Sequence, residues 1–227
     1  MRKPFERLEE ARTPNGTRIE LCRHDGSYLI RADGIELMSS RRHQSEDRLA
    51  EIACAPLRDV PHARVLIGGL GLGFTLRAAL RELRDDAEVV VAELLAEVIA
   101  WNADPRYGLS VEALEDPRVR VVHADVIDVL RDNPGGFDAI MLDTDNGPDG
   151  QLMSENTPLY DAYGIEDTIA ALRRGGLLVY WSVGDDPRFL KALRRAGLSV
   201  EALRVRAHTT AGPMHTLYVA KPRRPGR

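Results

Sequence analysis

The chain has 227 residues, 44% of them hydrophobic and 29% charged, which is enough to fold around a buried core and unlike a disordered chain. Lys plus Arg number 31 against 35 Asp plus Glu, a formal charge of −4, and this argues against a surface that grips nucleic acid or a membrane. The longest mainly apolar stretch, 65–76, is broken by glycines and falls short of the ~20 residues that cross a bilayer. The N-terminus carries no apolar run of the secretory kind, and Cys22 and Cys54 lack CxxC spacing. A disulfide framework, a structural zinc site and a secretory signal are therefore not expected, and the default location is a reducing cytoplasm.

Residues 1–14, charged and carrying two prolines, read as a loose arm. Two strand-like runs at 18–22 and 27–31 flank His24-Asp25-Gly26, and Asp33-Gly34 leads into a third at 35–38, so a small antiparallel sheet is expected. Residues 45–53 read as a helix stopped by Pro56 and Pro61. From residue 64 onward, strands and helices alternate. The spacing predicts strands at 65–67, 88–93, 118–123, 137–142 and 177–181, and helices at 74–83, 94–102, 126–131, 164–173 and 187–196. A closing strand pair follows at 199–206 and 214–220. Continuous apolar strands between helices imply a mostly parallel sheet covered on both faces. The division expected is 1–60 for arm, small sheet and connecting helix, 61–221 for the α/β unit, and 222–227 for a basic, solvated tail.

The first of these strands runs into Gly68-Gly69-Leu70-Gly71-Leu72-Gly73 and then a helix. Glycines there let backbone approach a ligand, and the helix start offers free N–H groups. Glu93 ends the next strand, about twenty residues past Gly73, where a carboxylate can take both hydroxyls of a ribose. Asp125 follows the third strand and can accept from an adenine amino group, although either acid could instead cap a helix. Gly69-x-Gly71-x-Gly73 departs from the G-x-G-x-x-G of a dinucleotide cradle, and no Tyr-x-x-x-Lys pair is present for hydride chemistry. A sulfonium nucleoside fits better than a nicotinamide one. After the fourth strand comes Asp143-Thr-Asp145-Asn-Gly-Pro. Carboxylates two apart attract a cation, and one of them can orient an amine and take its proton. An Asx-turn is the plainer alternative.

With these residues in view, the chain resembles the spermidine synthase family, the polyamine aminopropyltransferases, over roughly residues 16–220. The resemblance is carried by Val65–Arg77, Ala92–Ile99, Asp116–Asp125 and Phe137–Asp143. It implies a Rossmann-like sheet of the class I methyltransferase type, mostly parallel with an antiparallel closing strand, preceded by a small N-terminal antiparallel sheet. It also implies that Glu93 binds ribose, that Asp125 lies on the adenine side, that Asp143 deprotonates the attacking amine, and that the protein is a homodimer through the N-terminal sheet; from the acidic loop itself, Asp145 is expected to assist Asp143.

The departures concern the other half of the site. Leu72 stands where the family has the Asp that helps hold the aminopropyl ammonium of decarboxylated S-adenosylmethionine. The family's amine-lining Gln and Tyr-His-Glu elements are replaced by Ser39-Ser-Arg41-Arg-His43-Gln-Ser45-Glu46. Arg41 and His43 suit a carboxylate, unless they simply begin a helix. The expectation is therefore an S-adenosylmethionine-dependent transferase that passes a methyl group to a small amine or hydroxyl, with Gly69, Gly71, Gly73, Glu93, Asp125, Arg41 and His43 holding the donor. The alternatives are aminopropyl transfer from the decarboxylated donor and a catalytically silent nucleoside-binding module. Trp101 either stacks near the adenine or packs in the core. Trp181 ends the fifth strand beside the presumed acceptor pocket, and packing in the core is favoured over ligand contact. A metal site of Asp143 with Asp185 and Asp186 is less favoured than Asp186-Pro187 as a helix start.

Overall fold

The computed structural model describes residues 5–143, 157–208 and 212–223. Four strands, β1 (Phe5–Arg12), β2 (Arg18–His24), β3 (Ser27–Ala32) and β4 (Ile35–Ser39), form an antiparallel sheet in that order. Two-residue turns join β2 to β3 and β3 to β4. Asp25 and Gly26 have φ of 50° and 73°, and Asp33 and Gly34 have 45° and 84°. Positive φ at both positions matches the twist of the strands, and Asp-Gly accepts it.

The N-terminal arm is a correction. Residues 5–12 are a paired edge strand, because their charges find cross-strand partners: Arg23 to Glu6 at 2.7 Å and Arg7 to Glu20 at 3.3 Å. Charged side chains on an edge strand also discourage pairing with another chain. Ala11 alone in this strand is fully turned into the core.

Helix α1 (Gln44–Cys54) ends in a 3₁₀ turn at Ala55–Leu57, where Pro56 stops it. The chain then runs β5 (Arg64–Gly68), α2 (Phe74–Glu82), β6 (Glu88–Glu93), α3 (Ala96–Ala103), a short α4 (Val111–Leu114), β7 (Val119–His123), α5 (Val126–Arg131) and β8 (Phe137–Leu142). It continues through α6 (Thr157–Tyr160), α7 (Ala162–Ala171), β9 (Leu172–Ser182), α8 (Pro187–Arg195), β10 (Leu198–Arg206) and β11 (Met214–Pro222). These seven strands make one sheet in the order β10-β11-β9-β8-β5-β6-β7, parallel except for β11, which runs antiparallel to both β9 and β10. Strand β9 starts earlier than the apolar run suggests, because Leu172 already pairs with Phe137 ahead of an irregularity in the register.

Strand periodicity sorts the core into two layers. Val65, Ile67, Val89, Val91, Met141 and Val179 face one way, into an apolar cluster that also takes Ile19, Leu21, Ile30 and Met38 from the small sheet and Leu49 from α1. Leu66, Val90, Ile140, Leu142, Leu178 and Tyr180 face the other, against Leu130, Ile165, Phe189 and Leu193 of α5, α7 and α8. The small sheet is thus part of the cover on one face of the large one. Cys22 and Cys54 are both buried free thiols, in β2 and at the end of α1. Burial pushes Cys54 up to about 12 and raises Cys22 as well.

Candidate active site

Strand order reverses between β5 and β8, since β6 lies on one side of β5 and β8 on the other. At such a switch point the connections leave in opposite directions and open a crevice beyond the carboxyl ends of the strands. A half-open cleft lies there, lined by Gly69, Gly71, Glu93, Asp125 and Asp143. Ile19, Ile30 and Leu37 of the small sheet, with Leu95 and Val98 of the β6–α3 segment, add apolar surface. The small sheet's contribution went unforeseen in the sequence. Its only signal is period-2 apolar alternation, which reads equally well as ordinary core.

Glu93 ends β6 and is buried. It is not a helix cap. Its Oε2 accepts from the Leu70 N–H at 2.8 Å and its Oε1 from the Leu95 N–H at 2.9 Å, so one carboxylate ties the glycine turn to the start of α3. Burial raises its pKa, and the backbone N–H groups of Leu95, Leu70, Gly71 and Leu94 oppose that rise by bonding to the charged form. Asp125 takes up the capping role that the sequence allowed. Its Oδ1 accepts from the Ile127 N–H at 2.9 Å as the N-cap of α5, and the residue also lines the cleft.

The glycine turn is held from several sides. Gly69, Gly71 and Gly73 have φ of 92°, 52° and 74°, which a residue with a side chain rarely adopts. Asn102 donates to the Gly71 carbonyl at 2.8 Å, and Arg77 to the Leu72 carbonyl at 3.0 Å. Gly73 is a correction. It caps α2, and a Cβ there would collide with Ser110, so its bareness serves packing, and it is not on the cleft wall. A Cβ on Gly71 would come within 2.7 Å of the end of Met38, whose sulfur lies 3.1 Å from the Leu72 N–H. Leu72 is buried in the core behind the turn.

Asp143 follows β8, anchored by its own N–H on the Gly68 carbonyl at 2.9 Å. Thr75 Oγ1 donates to Asp143 Oδ2 at 2.6 Å, and burial pushes this carboxyl up to about 6. The run Thr75-Leu76-Arg77 therefore has a mechanical reading: Thr75 aims the acid, Leu76 packs in the core, and Arg77 clamps the loop. Thr75 had not been singled out from the sequence. Asp145 lies outside the described residues.

Arg41 and His43 sit elsewhere, and their expected place beside the donor is corrected. Arg41 pairs with Asp25 at 3.2 Å, and His43 Nδ1 lies 2.7 Å from Asp47 while its ring stacks on Phe74 at 4.1 Å. Both line a separate surface depression with Asp47, Arg48 and Glu51. Each has found its acid on the N-terminal unit or on α1, and neither faces the cleft. Trp101 packs in the core. Asp186 caps α8 through the Arg188 and Phe189 N–H groups, and Asp185 accepts from Thr216 at 2.6 Å.

The fold and the site define a Rossmann-like α/β protein with a carboxylate-lined cleft at its switch point. No family model matches the chain. A polyamine aminopropyltransferase of Streptomyces coelicolor is 35% identical over 100 residues, 43% of this chain and 19% of that protein. One from a Synechococcus strain is 27% identical over 155 residues, covering 66% of this chain and 49% of that protein. One from Leptospira biflexa is 26% identical over 195 residues, covering 82% and 61%. The matched regions thus span between a fifth and three fifths of these relatives. Among solved structures, the spermidine synthase of Thermotoga maritima superposes with a TM-score of 0.73 at 21% identity, over 95% of this chain and 72% of that one. A spermidine synthase in complex with the transition-state analogue AdoDATO gives 0.72 at 21%. The chain thus has the fold of the spermidine synthases and is similar in sequence to polyamine aminopropyltransferases.

Proposed function

We propose that the chain is a transferase that holds an adenosine-bearing sulfonium donor in the switch-point cleft and passes an aminopropyl group to an amine. The observation that carries this reading is the pairing of Glu93 with Asp143 across one cleft, the first fixed by two backbone N–H groups and the second by Thr75. The preference for methyl transfer rested on Leu72 and the missing amine-lining elements as well as on Arg41 and His43 meeting a methionine carboxylate; Leu72 is buried in the core, and Arg41 and His43 are engaged away from the cleft. The relatives are named as aminopropyltransferases, which adds weight to the other alternative.

In this reading Glu93 accepts from the ribose hydroxyls. Leu95, Val98 and Ile30 supply apolar surface for the base, and Asp125 accepts from its amino group. The donor supplies a carbon activated by a positively charged sulfur, whose bond to that carbon breaks as the amine nitrogen bonds to it. The protein's work is alignment and proton removal. Asp143, with its pKa near 6, is ionised at neutral pH yet basic enough to take the amine proton, and Thr75 keeps one of its oxygens turned to the protein. Resemblance further leads us to a homodimer formed through the N-terminal sheet, which sedimentation or light scattering would test.

The deciding experiment incubates the protein with S-adenosylmethionine or its decarboxylated form plus an amine. Methylthioadenosine is the expected product, S-adenosylhomocysteine would replace this reading with methyl transfer, and tight donor binding with neither product would leave a silent binding module.

A further inference from the structure

The peptide group between Gly71 and Leu72 is held at both of its poles by side chains from two different elements. Its carbonyl accepts from Asn102 Nδ2, on α3, at 2.8 Å. Its N–H donates to the sulfur of Met38, on β4 of the small sheet, at 3.1 Å. Asn102 is 1% exposed, and its amide also donates to the Val98 carbonyl at 2.9 Å. Both partners are acceptors, so the amide nitrogen and oxygen cannot exchange places. The Asn102 oxygen is then left buried with no partner among the described residues. An orphaned buried acceptor costs stability, and the fold bears that cost at a residue whose nitrogen holds the glycine turn. Met38 is not pressed onto the turn by packing on every side, because it also lines a depression with Glu46, Trp181 and His215. A thioether is a weak acceptor, so Met38 is the lesser of the two holds.

The shape of this turn decides what the cleft presents. Gly71 lines the cleft with φ of 52°, and the neighbouring Leu70 N–H is bonded to Glu93. Glycine has the widest backbone freedom to lose, so a turn with glycine at 69, 71 and 73 needs external ties to keep one shape. Resting on the nucleoside reading of the cleft, we propose that Asn102 and Met38 are positioning residues that lock the Gly71–Leu72 peptide, so that the turn has its binding shape before the donor arrives. Neither side chain lines the cleft. They act through the turn: with the lock removed, the donor must order the turn as it binds, and affinity falls.

The test combines calorimetry with methylthioadenosine and site-resolved amide hydrogen exchange, both on the full chain. Asn102→Ala is expected to weaken methylthioadenosine binding about 5- to 30-fold, the cost of ordering one residue's backbone. It is also expected to speed exchange at the Leu72 amide, the pole that Met38 holds, while amides of β5 and β6 exchange as in the parent. Met38→Leu, which conserves volume and loses the sulfur, is expected to show the same pattern with a shift of about 2- to 5-fold, and it decides the matter if Asn102→Ala does not fold. An unchanged Kd in the variants that fold overturns the proposal. So does exchange that quickens as much in β5 and β6 as at Leu72, which would make the two residues ordinary supports of the fold. Failure of the parent to bind methylthioadenosine would instead sink the nucleoside reading, and the exchange pattern would still judge the lock.

Discussion

The switch-point cleft and the depression lined by Glu46, Trp181 and His215 are built by different means. In the cleft, the acids stand at or just past strand ends and lean on nearby main chain: Glu93 on Leu70 and Leu95, Asp125 on Ile127, and Asp143 on the Gly68 carbonyl through its own N–H, with only Thr75 adding a side chain that aims its carboxylate. Around the depression, the groups come from β4, α1, β9 and β11, residues as far apart as Ser45 and His215, and side chain holds side chain. Main-chain anchoring tolerates sequence drift, because every residue but proline offers an N–H, whereas a side-chain relay needs its particular residues.

This contrast is broken or sharpened by graded substitutions. The largest effect is expected from Asp143→Ala, which removes the proton acceptor and should lower kcat by about 10²- to 10⁴-fold with little change in donor affinity by calorimetry. A loss of donor binding with unchanged kcat would move Asp143 from chemistry to nucleoside binding. Next is Glu93→Gln. Charge-assisted hydrogen bonds contribute roughly 1.5–3 kcal/mol, so nucleoside affinity should fall about 10- to 100-fold while kcat at saturation changes little. An unchanged Kd would remove Glu93 from the ribose site.

A smaller effect separates function from stability at Asp143. Its folded pKa is raised from 3.8 to about 6 by burial. The stabilising contribution is therefore fully present below pH 3.8 and is lost as pH rises through 6, because the ionised form is the one the fold disfavours. Asp143→Asn should melt a few degrees higher than the parent at pH 7.5 and no higher at pH 3.5, by differential scanning calorimetry. In the parent, kcat/KM should climb as pH passes 6. A flat profile from pH 5 to 8 would deny Asp143 the role of base. The smallest effect is expected from Arg41→Ala and His43→Ala together, at most ~2-fold on donor Kd, since exposed ion pairs contribute only about 0–1 kcal/mol and neither side chain lines the cleft.

The same contrast explains what could be read from the chain alone. Strands β5, β6 and β8 announce themselves because they are buried on both faces and so carry near-continuous apolar runs. Glu93 and Asp143 stand out at the ends of β6 and β8, since a polar residue at the end of such a strand has few roles open to it. Strand β1 stayed hidden because its cross-strand ion pairs give it the composition of a solvated arm. Arg41 and His43 misled for a related reason: a charge near the site in sequence is indistinguishable from one that has already found its partner in space. The Ser45–His215 contact spans 170 positions and could not be seen in any local pattern. Gly73 shows a subtler limit, because a glycine required by a neighbouring Ser110 looks the same on paper as one required by a ligand.

The two buried thiols give this molecule a built-in clock. Cys22 belongs to the small sheet and Cys54 to the helix packed beneath the large one, and burial keeps both protonated. A thiol reagent can therefore react only when the surrounding structure opens. If the small sheet peels away by itself, modification at Cys22 will run ahead of that at Cys54; if the shared core parts all at once, the two will be tagged at one rate.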